Sequence, residues 1–381
     1  MGADEMTKVG KKYWIWLAQS LGAGAKTDDI LSAFKTPRDI YEASEKDRMA
    51  ADVFTKRQSE RLSEHTLEDA EKIISECSRN GWNIITPEDT VYPAGLRRIS
   101  DMPLALYVDG DISCLRGKVM TGVVGTRNPG LEGLTVTHNI CTDMSAAGAV
   151  IVSGGALGID SAAHESALYA GGKTVCVLGC GFGTRYLMEN EALRRDISRN
   201  GAVVTEYPPY TPASRITFPT RNRIISGMSH AVLVVEAGEK SGSLITARTA
   251  NEQGREVFAV PGNVLTSAYT GANRLISSGE AKVATSANDV LTPYAVMYPD
   301  RLNLEMIGKL RYGEYPDKNE IPDGLDADSA SVLSCLGKEP VHFDEIVAMT
   351  GLSNAKAVVA LFQLELMDYI TETESKKYII N

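Results

Sequence analysis

The chain has 381 residues, 43% of them hydrophobic and 23% charged, an ordinary balance for a globular protein of two or three domains with a real core. No stretch approaches the roughly 18 apolar residues of a membrane-spanning helix, and the opening MGADEMTKVGKKYW has no apolar run behind a basic start, which argues against a secretory signal. Cys77, Cys114, Cys141, Cys176, Cys180 and Cys335 form no CxxC pair and have no histidine cluster beside them. No metal, cofactor or disulfide framework is therefore expected, and a reducing, cytoplasmic compartment is.

The net charge of −10 first counts against a nucleic-acid partner, but its distribution matters more than its sum. Residues 115–285 carry 16 basic against 13 acidic side chains, whereas residues 325–381 carry 4 against 9. If the chain binds nucleic acid, its middle does so.

In chain order, residues 1–80 read as helical, with YWIWLAQSL followed by Gly22 and Gly24 and a new helix start at Thr27-Asp28. The GAG step is similar to a helix-hairpin-helix turn, where small residues let backbone approach a phosphate; a helical bundle that only packs is the competing reading. Residues 82–109 supply an extra strand or two. From 119 onward, apolar runs at 119–124, 149–152, 174–178, 202–205, 231–235 and 257–260 alternate with helix-length segments at 133–147, 160–170, 190–200, 222–228 and 243–253. Near-continuous apolar strands alternating with helices imply a doubly wound α/β domain on a mostly parallel sheet, whose ligands sit beyond the strands' carboxyl ends. That domain is expected over 81–290. A linker is expected over 291–324. Three short helices and a strand pair over 325–381 read as a winged helix, with Gly351 before the third helix and Ser353 as its N-cap.

Polar residues gather where these strands end. In VVGTRNPG, Gly125 and Thr126 leave room for backbone N–H groups near a phosphate, and Arg127 adds a charge-assisted contact. In VIVSGGALGIDSAAHESAL, Ser153, Gly154 and Gly155 precede a helix start. Asp160 there is read as an N-cap and His164 as a packing residue. In TFPTRNRIISGM, Arg221, Asn222 and Arg223 open a short helix, where two arginines oppose the helix dipole unless an anion is bound. In VVEAGEKSGSLITA, Lys240, Ser241, Gly242, Ser243 and Thr246 offer a cation, hydroxyls and N–H groups at a helix start. VLGCGFGT lacks the register of a dinucleotide fingerprint, and FAVPGN closes the series with Gly262 and Asn263. So many anion-friendly ends on one edge suit a run of phosphates better than one mononucleotide.

These motifs, in this order over about 120–280, resemble the DNA-processing protein A family (DprA/Smf), and the helical and winged-helix segments resemble its SAM-like or helix-hairpin-helix-like and winged-helix flanking domains. The resemblance implies an extended Rossmann-like core that binds single-stranded DNA, as a homodimer, protects incoming strands in natural transformation and helps load a RecA-type recombinase. It assigns the DNA contacts to Arg127, the Ser153–Gly155 loop, Arg221, Arg223, Lys240 and Ser241–Ser243. Two positions depart from the family pattern, Leu157 in place of an arginine and Leu187 in place of a proline. The competing class is a nucleotide hydrolase of the lysine-decarboxylase-like (LOG) type. Its PGGxGTxxE loop corresponds here to EKSGSLITART, which lacks the glutamate that would move a proton, so a binding protein rather than an enzyme is expected. The acidic winged helix is expected to contact protein rather than duplex DNA.

Overall fold

The computed structural model describes residues 3–186, 188–310, 312, 325–336, 340–367, 369–373 and 376–380. They fall into two units, Met1–Tyr312 and Gly313–Asn381. The first unit opens with six helices: α1 (Ala3–Leu21), α2 (Asp28–Phe34), α3 (Pro37–Glu42), α4 (Glu45–Ala50), α5 (Lys56–Glu64) and α6 (Leu67–Arg79). Threonines set several of their starts. Thr36, Thr55 and Thr66 each accept from the amide three residues on and form capping boxes with Asp39, Gln58 and Asp69.

A nine-stranded sheet follows: β1 (Asn83–Ile85), β2 (Leu106–Gly110), β3 (Met120–Val124), β4 (Val150–Ser153), β5 (Thr174–Val177), β6 (Ala202–Thr205), β7 (Ala231–Val234), β8 (Glu256–Ala259) and β9 (Lys282–Val283). Its order is β1-β2-β6-β5-β4-β3-β7-β8-β9. The seven strands from β6 to β9 pair in parallel, and the β1–β2 and β2–β6 pairs are antiparallel. The intervening helices are α7 (Leu131–Ala146), α8 (Ile159–Tyr169), α9 (Glu191–Asn200), α10 (Thr217–Met228), α11 (Ser243–Glu252), α12 (Thr270–Ser277) and α13 (Ala287–Met297). The chain winds outward from β3 to β6 and then returns to β3's other side as β7, so the order reverses between β3 and β7. At such a switch point neighbouring loops diverge and leave a crevice beyond the carboxyl ends.

Successive strand residues serve opposite faces. Val124, Val152, Val177 and Val234 enter a core with Ile224, Ile225 and Met228 of α10. Val123, Ile151 and Leu233 enter another with Ile140 and Met144 of α7. On the same side as the latter, Cys176 and Val203 meet Trp16, Leu17 and Ile30 of the amino-terminal helices, so these helices share a core with the sheet.

Two expectations are corrected here. The helix expected at 222–228 begins five residues earlier, at Thr217, because Pro219 falls in its first turn, where a missing N–H costs little. The linker expected from 291 does not begin there. α13 buries Val290, Leu291 and Tyr294 in the sheet's core, and Leu302, Leu304 and Ile307 pack against the same cluster. The rest of the expected linker, 313–324, lies outside the described residues.

The second unit holds α14 (Ala327–Cys335), β10 (Val341–His342), α15 (Phe343–Thr350), α16 (Asn354–Leu366), β11 (Ile370–Thr373) and β12 (Lys377–Ile380). It is a winged helix, its antiparallel sheet ordered β10-β12-β11. Val332, Leu336, Ile346, Leu361 and Leu364 form its core. Gly351 takes the left-handed conformation after α15, and the Ser353 hydroxyl accepts from the Lys356 amide at the start of α16. Among the described residues no single helix is long and apolar enough to cross a membrane.

Candidate nucleic-acid interface

The crevice at the switch point is a cleft of about 330 Å³. It is lined by Gly125, Thr126 and Arg127 after β3, Asp160 after β4, Phe218, Arg221 and Asn222 of α10, and Ser241, Gly242, Ser243 and Thr246 around the start of α11. Nine of the fourteen residues expected to touch DNA therefore share one cavity. Lys240, exposed, immediately precedes Ser241.

Not every helix start on this edge is open to an anion. At α7 the Glu236 carboxylate, on the loop after β7, accepts from the Gly130 amide at 3.2 Å. Burial pushes its pKa up, and the Gly130 amide opposes that. At α8 the buried Asp160 carboxylate accepts from the amides of Gly154 at 3.2 Å and Ala156 at 3.4 Å. Burial raises its pKa too, against the pull of Arg221. A carboxylate thus fills the start of α7, while Asp160, the second residue of α8 rather than its N-cap, which is Gly158, folds back to fill the loop before that helix. The start of α11 differs in its partners: the Ser241 hydroxyl, not a carboxylate, accepts from the Ser243 amide, at 3.4 Å, and bonds the Ser243 hydroxyl at 2.7 Å, and the Thr246 hydroxyl is buried without a hydrogen-bond partner. A helix start lined by hydroxyls, one of them unpaired, and by no carboxylate is a ready position for an anion's oxygens.

The Ser153–Gly155 loop lies beneath the cleft. All three residues are buried, and the Ser153 hydroxyl donates to the Val123 carbonyl at 2.6 Å. Arg221 threads against this loop, donating Nη1 to the Gly154 carbonyl at 2.7 Å and to the Val177 carbonyl. A Cβ at position 154 would come within 2.6 Å of the guanidinium carbon, so the close approach requires glycine there. Burial lowers the Arg221 pKa, and Asp160 opposes the shift. Arg221 thus reaches the cleft from its floor, with much of its hydrogen-bonding capacity already committed to carbonyls.

Arg223 is placed elsewhere. Two residues along a helix turn a side chain by about 200°, so Arg221 and Arg223 cannot share a face. Arg223 pairs with the buried Glu206 and approaches Asp101 at 3.5 Å. Burial raises the Glu206 pKa against the pull of Arg223, with the Gly24 amide lowering it slightly. The GAG turn packs on this pair as well: a Cβ on Gly24, whose φ is +73°, would lie 2.8 Å from Thr220. The small residues expected to approach a phosphate instead approach a carboxylate of the protein. Nor do Arg221 and Arg223 need the bound anion expected from the helix dipole, because both sit beyond the first turn and have partners inside the protein.

The motifs do not reveal the aromatic contacts at this edge. Arg127 lies over the Phe218 ring at 5.3 Å, and Phe218 packs on Tyr186 at 5.2 Å, so the exposed guanidinium is held over a flat apolar surface. Leu157 is exposed, and Leu187 lies outside the described residues. His164 is fully buried with Nδ1 2.6 Å from the Thr174 hydroxyl, which fits the packing role.

A family model described as DNA recombination-mediator protein A matches residues 83–295, and one for the DprA winged helix domain matches residues 316–374. The chain is 34% identical over 329 residues to the protein Smf of Synechocystis sp., covering 81% of this chain and 82% of that one. It is 41% identical over 219 residues to the DNA processing protein DprA of Bacillus subtilis, covering 58% and 73%. Among solved structures, it is similar to the DNA processing protein A of Streptococcus pneumoniae, with 33% identity, a TM-score of 0.64 and coverage of 74% and 97%. It is also similar to that of Helicobacter pylori, described for its single-stranded-DNA binding mode, with 28% identity, a TM-score of 0.52 and coverage of 57% and 97%.

Proposed function

The chain belongs to the DNA recombination-mediator protein A family, and from that membership we propose that it holds single-stranded DNA by its phosphate backbone in the cleft between β3 and β7. The observation that carries this reading is the combination at the start of α11: the Ser241 and Ser243 hydroxyls, the unpartnered Thr246 hydroxyl and Arg127, on residues that line one cavity at a helix start no carboxylate caps. Helix N–H groups and a guanidinium recognise phosphate oxygens without regard to base. Lys240 adds charge at the rim, and Phe218 and Tyr186 offer rings on which bases stack. Arg221 supports the floor rather than reaching for the strand.

Binding without chemistry suits this cleft. Its one carboxylate, Asp160, is held by two backbone amides, so it is poorly placed to move a proton. The Helicobacter pylori relative's single-stranded-DNA binding mode agrees with the substrate. In the cell the bound strand is protected and handed to a RecA-type recombinase during DNA uptake and recombination, in the cytoplasm, where the six free thiols stay reduced. The exposed Leu131, Ile216, Val264 and Leu265 around the carboxyl edge are the apolar surface for a second copy of the chain. A mobility-shift titration with an oligonucleotide and its duplex, beside a nucleoside-monophosphate hydrolysis assay, tests the reading. Preference for the single strand and no turnover are expected; equal affinity for duplex, or hydrolysis, overturns it.

A further inference from the structure

The basic residues of the middle segment do not all lie at the carboxyl edge. At the opposite end of the strands, where Met120 begins β3, His230 precedes β7 and Arg255 precedes β8, there is a larger trough of about 430 Å³. Five cations line it, Arg98, Arg116, Lys118, Arg255 and Arg301, and no aspartate or glutamate does. The carboxyl-edge cleft, by contrast, has two arginines and an aspartate in its wall. In a chain of net charge −10, five uncompensated cations in one concavity form a focused positive field.

The trough is built rather than incidental. Arg255 donates Nη2 to the carbonyls of Gly95 and Gly227, each at 3.1 Å, while its Nε is buried and unpaired. Arg301 lies over the Tyr298 ring at 4.2 Å. Arg98, Arg116 and Lys118 are exposed, and none pairs with a described carboxylate. Burial lowers the pKa of His230, and Arg255, Arg301 and Arg98 lower it further, so the imidazole stays neutral in a field set by arginines. Guanidinium forks match phosphate oxygens, and cations spread over separate segments fit an anion with several spaced charges.

We infer that this amino-edge trough is a second phosphoanion site, separate from the β3–β7 cleft, that takes a run of phosphoryl groups. The same chemistry is offered by a nucleic-acid backbone and by a free polyphosphate. Two probes on the full chain separate these sources: inorganic tripolyphosphate by calorimetry, and a labelled oligothymidylate by anisotropy in an Arg127→Ala background. In the same Arg127→Ala background, which weakens the β3–β7 cleft, the triple variant R98E/R116E/K118E is expected to weaken the remaining tripolyphosphate binding at least about tenfold. A further fall in oligothymidylate affinity when the triple change is added to R127A identifies a nucleic-acid strand as the occupant. A loss confined to tripolyphosphate identifies the free anion. The milder R116Q/K118Q, which touches no packed residue, is expected to give about a threefold loss and serves if the triple variant does not fold. If neither probe responds to either variant, the inference is overturned.

Discussion

Replacing Arg223 with alanine separates a structural arginine from a phosphate-binding one. Both the Arg223 and Glu206 side chains are 5% exposed, and they are paired to each other. Without the guanidinium, Glu206 becomes a buried carboxylate that has lost the counter-charge paired with it. Removing one member of a buried ion pair costs about 3–5 kcal/mol, and in a unit of this size that lowers the melting temperature by roughly 10 °C. Thermal unfolding followed by circular dichroism at pH 7 measures the loss, and anisotropy with a single-stranded oligonucleotide at low temperature measures binding by the folded protein. A large fall in stability is expected, with affinity unchanged within about twofold. Adding Glu206→Gln recovers part of the stability, because a neutral amide is cheaper to bury than a charge. A variant of normal stability that binds about tenfold more weakly would refute the assignment and return Arg223 to the residues that hold phosphate.

Thr246→Val is expected to leave stability within about 1 kcal/mol, since the hydroxyl it removes has no partner, yet to weaken oligonucleotide binding several-fold; unchanged affinity would take Thr246 out of the phosphate site. His164 gives a pH test. Burial holds its pKa down at about 3, so the folded state keeps the ring neutral while the unfolded chain protonates it near pH 6.5. Its stability contribution is complete above that value and declines as pH falls toward 3. Between pH 7 and pH 5 the stability of the wild type relative to His164→Leu is therefore expected to fall by about 2 kcal/mol; a pH-independent difference in denaturant titrations would contradict the buried neutral ring. The fragment 325–381 is expected not to shift duplex DNA at physiological salt, because α16 exposes Val358, Val359 and Phe362 in a segment with 4 basic and 9 acidic residues. A shift would show that groove binding survives that charge.

The central sheet was legible because buried parallel strands are written as unbroken apolar runs, and six such runs separated by helix-length segments leave few alternatives. The boundaries of two helices were not legible. The first turn of α10, which carries Pro219, lay outside the expected 222–228, and the loop-like PYAVMYPD hid α13, which carries Pro293 inside it and is held by burial of Val290, Leu291 and Tyr294. The motifs named strand ends that share one cleft but could not say which ends were already filled. Glu236 reaches Gly130 across 106 residues, a relation that no local spacing records. Glu206, Arg223 and Gly24 likewise meet only through packing of the amino-terminal helices on the sheet. The divergence of Arg221 and Arg223 was different, since helical periodicity alone turns positions two apart away from each other. The positive middle segment was assigned wholly to the carboxyl edge, whereas Arg116, Lys118 and Arg255 belong to the opposite edge.

The most direct test of the cleft is the salt dependence of oligothymidylate affinity for the wild type and for Arg127→Ala/Lys240→Ala. Removing one cation that neutralises a phosphate should flatten the plot of log affinity against log salt by about 0.7 for a single strand. For the double variant the expected slope is shallower by about 1.4, with weaker binding at every salt concentration and an unchanged melting temperature. A double variant that matches the wild type in slope and affinity would contradict the placement of the DNA backbone between β3 and β7.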